Sequence, residues 1–295
     1  MTADVTNPKS DRVRAVRALA QASVRARRGQ FLVEGPQGVR EAVRFAPEQV
    51  RDLYLTVDAA QRYPEITDAA ESVSLHTHLA APEVLAAMSD DAQGVVAVLR
   101  HRAVGTDEVI AARPQLVALL HHVRDPGNAG TVIRAADAAG ADACVLTHGS
   151  VDVHNPKVVR STVGSLFHLP TATGADLAET IALAREAGLQ VLAADGSGDH
   201  DLDQLADAAE VTVAGGAAQA GDATGAADST EGPHLARPTL WIFGNEAHGL
   251  AGHERDLADA VVRIPIHGHA ESLNLAMAAT LCLYASARAQ RHAHR

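Results

Sequence analysis

Three short patches of small and polar residues, each set at the end of an apolar run, constrain this chain more than any other feature. They are Asp125-Pro126-Gly127-Asn128-Ala129-Gly130 leading to Arg134, then Phe243-Gly244-Asn245-Glu246, and then Ile264-Pro265-Ile266 followed by Glu271-Ser272-Leu273-Asn274. The runs ahead of them are short, continuous and apolar, as strands buried on both faces are. Open α/β sheets build their ligand sites where strands reach their carboxyl ends. Three such interruptions therefore predict one site assembled from three loops.

The rest of the chain reads as alternating strands and helices. Val13, Val16, Leu19, Ala20 and Val24 recur at helical spacing and predict one helix over 8–28, closed by Gly29. Strands are expected at 31–33, 50–57, 72–75 and 95–99, with helices after Pro36 and over 82–88. This small α/β unit ends near residue 105. A second unit, 106–295, opens with the strand Leu116-Val117-Ala118-Leu119-Leu120. Helices are expected at 129–139, 158–165, 175–188 and 273–289, and strands at 143–146, 190–194, 240–243 and 261–266. Such alternation implies a mostly parallel sheet covered on both faces. Ahead of the strand at 240–243, residues 213–238 are Gly- and Ala-rich, bury too little apolar surface to offset ordering entropy, and are expected to form a disordered insertion.

Composition narrows the partners. The formal net charge of -11 does not advertise a polyanion ligand. The charge is uneven, however. Lys9, Arg12, Arg14, Arg17, Arg25, Arg27, Arg28, Arg40 and Arg44 crowd the first stretch, and on the predicted helix they fall mostly between the apolar positions, facing solvent. Cys144 and Cys282 lie in apolar runs without a second cysteine at metal or redox spacing, which suits buried hydrophobes in a reducing compartment. No run has the pattern of a signal peptide or a membrane span, so a cytoplasmic location is expected.

Each patch alone has a plain explanation. Asn128 and Gly130 sit at a helix entry, where an Asn side chain caps free N–H groups. Gly244 can serve a simple strand-to-helix turn, and Ser272 looks like a helix cap. Arg134 sits among Val132, Ile133, Ala135 and Ala136, and is either a surface residue or a planar fork held for a phosphate. Other chemistries lack their residues. The Gly215–Gly221 stretch imitates a dinucleotide loop but has no following helix pattern. There is no phosphate-binding P-loop and no nucleophile-elbow serine. His267 and His269 lack acidic or cysteine partners at ligand spacing, and His121-His122 end a strand, so no metal is expected.

Taken together, Asp125-Pro126-Gly127-Asn128-x-Gly130-x-x-x-Arg134, Phe243-Gly244-Asn245-Glu246-x-x-Gly249-Leu250 and Ile264-Pro265-Ile266…Ser272-Leu273-Asn274 resemble the three ordered motifs of the SpoU/TrmH branch of SPOUT RNA 2'-O-ribose methyltransferases. The resemblance covers residues 116–290 apart from the insertion. Arg27-Arg28-Gly29-x-Phe31-x-Val33-Glu34-Gly35 also resembles the L30e-like substrate-binding domain that precedes the catalytic domain in many members. What the resemblance implies is a catalytic domain of parallel sheet with a deep trefoil knot, S-adenosylmethionine as cofactor, and a homodimer with the catalytic site near the subunit interface. By position, the backbone around Gly244, Ile264, Ile266 and Leu273 would cradle the cofactor. Arg134, Asn128, Glu246, Ser272 and Asn274 would serve catalysis, with Arg134 binding an RNA phosphate, Asn128 orienting Arg134 or the ribose, and Glu246 holding one of those two. Arg25, Arg27 and Arg28 would contact RNA. By analogy with related RNA-binding folds, the expected substrate is large-subunit (23S) ribosomal RNA. A tRNA methyltransferase, and a non-catalytic RNA-binding ribosome-assembly factor, are the alternatives.

Overall fold

The computed structural model describes residues 2–216 and 232–293. The chain divides into two units, one made of residues up to 103 together with 152–168, the other of 104–151 together with 169–295. The first unit therefore closes only when the chain comes back to it.

In the first unit, β1 (Gln30–Glu34), β2 (Val50–Leu55), β3 (Thr77–Leu79) and β4 (Val95–Arg100) form a sheet in the order β1-β4-β2-β3. β4 runs antiparallel to β1 and β2, and β2 parallel to β3. Alternate strand residues supply two cores. Phe31, Val33, Leu53, Leu55, Ala97 and Leu99 face one way. Leu32, Tyr54, Val96 and Val98 face the other and meet Val13, Val16, Leu19 and Val24.

Two local expectations are corrected here. The helix expected over 8–28 is two helices, Asp11–Arg17 and Ala22–Arg28, separated by a 3-10 turn at Ala18–Ala20 and an extended Gln21. The break buries Leu19 and leaves carbonyls without helical partners. Arg25 answers them: its Nη1 donates to the Leu19 and Ala20 carbonyls at 2.9 and 2.8 Å, while its Nε and Nη2 donate to Asp152 Oδ2 at 2.9 and 2.6 Å. Arg25 is 6% exposed. It was expected to contact RNA, but its donors are consumed inside the fold. Arg27 and Arg28 remain exposed. The strand expected at 72–75 is the end of the helix Pro64–Ser72 and a turn through Ser74, which takes φ 57. Pro at the first helical position and Ile66 and Ala70 on its buried side favour the helix there.

The returning segment 152–168 is part of this unit's core. Its helix Pro156–Thr162 buries Val159 against the sheet, and Arg160 pairs with the buried Glu34 carboxylate, which also accepts the Ser89 hydroxyl. His154 lies between the rings of Phe31 and His101, at 4.3 and 4.2 Å. Burial, with help from His101, pushes its pKa down to about 4, so the ring is neutral at pH 7.

The second unit is a seven-stranded sheet of β5 (Leu116–Leu120), β6 (Ala143–Thr147), β7 (Thr171–Ala175), β8 (Gln190–Ala194), β9 (His200–Asp201), β10 (Thr239–Phe243) and β11 (Ala260–Arg263). The order is β7-β6-β5-β10-β8-β11-β9, and every pair is parallel. One face packs Val117, Leu119, Val145, Val191 and Ile242 against the helix Leu177–Glu186. Trp241, on the other face, is fully buried and donates its Nε1–H to Ser286 Oγ at 2.9 Å, fastening the final helix, Leu275–Ala293, over β10. That helix also packs along the helix Pro126–Ala139. Because β10 sits between β5 and β8, the strand ends at Leu120, Ala194 and Phe243 come side by side.

The expected insertion at 213–238 is also revised at both ends. Residues 217–231 lie outside the described residues. Ahead of them the helix Leu202–Gly216 runs through 213–216. After them 232–238 take a defined course, with Leu235 buried and Gln190 Nε2 donating to the His234 carbonyl at 2.6 Å.

Candidate functional site

The three patches meet at the carboxyl edge of β5, β10 and β11, as the sequence predicts. Helix capping, the plain explanation for Asn128 and Ser272, is done by other residues of the same patches. Asp125 Oδ1 accepts the Asn128 N–H at 2.7 Å and Pro126 occupies the first helical position, so Asp125 is the cap and the Asn128 side chain is released. The final helix begins at Leu275, and Asn274 Oδ1 accepts the Ala276 N–H at 2.9 Å, so Asn274 rather than Ser272 does that work.

The free Asn128 side chain and the amide nitrogen of Asn274 join in a chain. Asn274 Nδ2 donates to Asn128 Oδ1 at 3.0 Å, and Asn128 Nδ2 lies 3.4 Å from Glu246 Oε1. Glu246 also accepts the N–H groups of Asp125 at 3.0 Å and Arg124 at 3.3 Å. One carboxylate thus ties the first patch to the second, and one amide ties the first to the third. Arg134 stands apart. It is exposed and makes no hydrogen bond or ion pair among the described residues. Six positions beyond Asn128 on a helix, it is turned roughly 120° away from it. Of the two partners weighed for Glu246, it holds Asn128.

The second patch forms a tight loop. Asn245 and Gly249 pair across it, N to O at 3.1 Å one way and 2.8 Å the other. A Cβ on Gly244 would lie 2.6 Å from the Gly249 carbonyl carbon and 2.8 Å from Leu250 Cγ, so only glycine fits. β11 ends at Arg263, and Ile264, Pro265 and Ile266 leave the ladder, contrary to the strand expected through 266. Gly244, Ile264, Ile266, Ser272 and Leu273 line one cleft of about 330 Å³. Ile266 and Leu273 are 39% and 38% exposed there, which leaves apolar side-chain surface open at the cleft. Ser272 is exposed and its hydroxyl has no partner among the described residues.

Sequence reasoning missed Asp195 and His122. Asp195 opens a fourth small-and-polar break, Asp195-Gly196-Ser197-Gly198, after the apolar β8. That signal matches the other three patches and was available. Asp195 lines the cleft, accepts the Ser197 N–H and hydroxyl, and stands 3.5 Å from Arg255. Although desolvation opposes it, these hydrogen bonds and Arg255 hold its carboxyl below the ordinary range. His121 and His122 do meet a carboxylate in space. With Glu254 they bring one donor atom each within 4.8 Å. His121 is already satisfied, by Glu254 Oε1 at 2.9 Å and Thr147 Oγ1 at 3.1 Å.

Residues 115–284 match the SpoU rRNA Methylase family. The 23S rRNA (guanosine-2'-O-)-methyltransferase RlmB of Bordetella pertussis is 30% identical over 264 residues, 87% of this chain and 96% of that one. The 23S rRNA (uridine(2479)-2'-O)-methyltransferase of Streptomyces viridochromogenes is 30% identical over 92% of this chain and 86% of its own length. Among solved structures, the SpoU methyltransferase AviRb of Streptomyces viridochromogenes in complex with AdoMet superposes with a TM-score of 0.75, at 30% identity, covering 96% of this chain and 99% of that one.

Proposed function

Because the chain belongs to the SpoU rRNA methylase family, we propose that it transfers a methyl group from S-adenosylmethionine to a ribose 2'-hydroxyl of large-subunit ribosomal RNA in the cytoplasm. The observation that carries this reading is the cleft with two chemistries. One part is a glycine-bounded loop with Ile264 and the exposed Ile266 and Leu273, and beside it runs the amide–carboxylate chain Asn274–Asn128–Glu246. The first part fits an adenine and a methionine chain, which need apolar cover and backbone hydrogen bonds. The second fits a hydroxyl-rich ribose.

S-adenosylmethionine bound there would supply an electrophilic methyl group on its sulfonium sulfur, for attack by the ribose oxygen. The chain's own residues handle position and charge. Arg134, permanently cationic and unpaired within the described chain, binds the phosphate next to the target ribose. It is a poor base, so its part is to hold that phosphate, which polarises the 2'-hydroxyl and helps take its proton as the methyl transfers. Asn128, fixed from both sides by Glu246 and Asn274, orients the ribose. Ser272 offers its free hydroxyl at the mouth of the cleft. Exposed Arg27 and Arg28 give the first unit, read as L30e-like, a basic edge for RNA.

The functional form is a homodimer. Met277, Leu281 and Tyr284 stand 62%, 47% and 46% exposed at helical spacing on the final helix, an apolar stripe that a second copy would cover. Leu281→Asp should convert a dimer into a monomer in sedimentation analysis. A dimer that survives would place the interface elsewhere.

The reaction itself is tested by mapping 2'-O-methylation in a strain lacking this chain. One large-subunit mark should disappear and return when purified chain and S-adenosylmethionine are added. A lost tRNA mark, or none, would overturn the substrate.

A further inference from the structure

A second cavity, of about 810 Å³, shares Asn245, Glu246, Ala247 and Gly249 with the cofactor cleft. Its remaining wall includes His122, Arg124, Asp125, Asn128, His248 and Glu254. Its acids are already engaged. Asp125 caps a helix, Glu246 takes two backbone N–H groups, and Glu254 takes His121 and the Ala251 N–H. Among the groups left over are two imidazoles and one guanidinium. Arg124 makes no ion pair among the described residues.

His122 is held rigidly. Its backbone takes φ 54, a left-handed conformation that costs a residue of this kind energy. Thr147 Oγ1 accepts its N–H at 3.2 Å, and Asn245 Nδ2 donates to its carbonyl at 2.8 Å. The His121 ring lies 3.9 Å from its ring centroid with a 31° tilt. Gly149 makes room for it, since a Cβ there would come within 3.1 Å of His122 Cδ2. The ring is exposed all the same. Partial desolvation at the cavity wall and the neighbouring His121 keep its pKa below the ordinary histidine value, so at pH 7 it is a neutral aromatic surface.

We propose that this cavity takes the target nucleotide of the RNA, with the base stacked on the His122 ring and Arg124 holding the phosphate on the opposite side of the nucleotide from the one that Arg134 binds. The inference rests on the methyltransferase reading and names where the acceptor sits. Bases pulled out of RNA structure are ordinarily held by aromatic stacking, and phosphates by guanidinium groups. A cavity walled in part by the residues that wall the cofactor cleft is where an acceptor must lie for direct transfer. Asn128, which lines this cavity and belongs to the amide chain, would face the ribose between the two.

The test uses the full chain, S-adenosylmethionine, and deproteinised large-subunit rRNA from a strain lacking this chain. His122→Asn removes the ring but tolerates the left-handed backbone. It should raise KM for RNA about tenfold with kcat and cofactor affinity unchanged. His122→Phe keeps a stacking face and should restore most of that loss. Arg124→Gln should weaken RNA binding and reduce the salt slope of affinity by about one, which His122→Asn should not do. An unchanged KM in His122→Asn, or a phenylalanine variant no better than the asparagine one, would overturn the assignment while leaving the enzyme a methyltransferase. A wild-type chain that binds no S-adenosylmethionine would remove both readings together.

Discussion

Replacing Arg134 with alanine should cut methyl transfer by about 10²- to 10³-fold, the range seen when one charge-stabilising donor is removed. Fold and cofactor affinity should survive. Arg134 is exposed and anchors nothing among the described residues, and surface substitutions of that kind change stability by about 0.5 kcal/mol or less. Its place on a helix otherwise lined with Val132, Ile133, Ala135 and Ala136 gives it no structural duty to lose. Tritiated methyl incorporation read beside cofactor calorimetry separates the two effects. Arg134→Lys sharpens the result, because it keeps the charge and loses the planar fork, and should recover only part of the rate. Full activity in Arg134→Ala would show that the phosphate is bound elsewhere.

Gly244→Ala should weaken cofactor binding at least about 100-fold, equivalent to about 2.8 kcal/mol. The added methyl would sit 2.6 and 2.7 Å from the carbon and oxygen of the Gly249 carbonyl. Those are backbone atoms already paired with Asn245, so nothing flexible can swing aside. The loop has to open, and Glu246 moves with it. Overpacking of this kind costs about 1–3 kcal/mol, so melting temperature should fall as well. A cofactor affinity equal to wild type would mean that the loop is not part of the cradle. Gly249→Ala meets only a carboxylate oxygen of Asp195, at 3.1 Å, but its φ of +62 adds strain, and a milder loss is expected there.

The sheet was largely legible in the sequence because its strands are continuous apolar runs, which announce themselves without tertiary context. Leu116–Leu120 and Gln190–Ala194 are examples, each closed by polar residues. Short edge strands were not. Thr171–Ala175, with two threonines and a glycine, and His200–Asp201 have no apolar signature, and only the sheet makes them strands. Helix 8–28 was misjudged because periodicity cannot see that burying Leu19 is worth a broken helix when an arginine stands ready to cap it. Arg25 was misjudged for the same reason: its partner, Asp152, is 127 residues away. The cleft residues were found by order and spacing. What they do to one another was not legible, since Asn128, Glu246 and Asn274 touch only after three loops converge.

The return of residues 152–168 to the first unit has a consequence for how this chain is made. Val159 and the Arg160–Glu34 pair belong to the first unit's core, yet they follow two strands of the second. During synthesis the amino-terminal unit cannot finish its core until residue 168 has left the ribosome, by which time β5 and β6 are already present. The two units must mature as interleaved parts, and a fragment cut at their first boundary would carry Arg25 without Asp152 and Glu34 without Arg160.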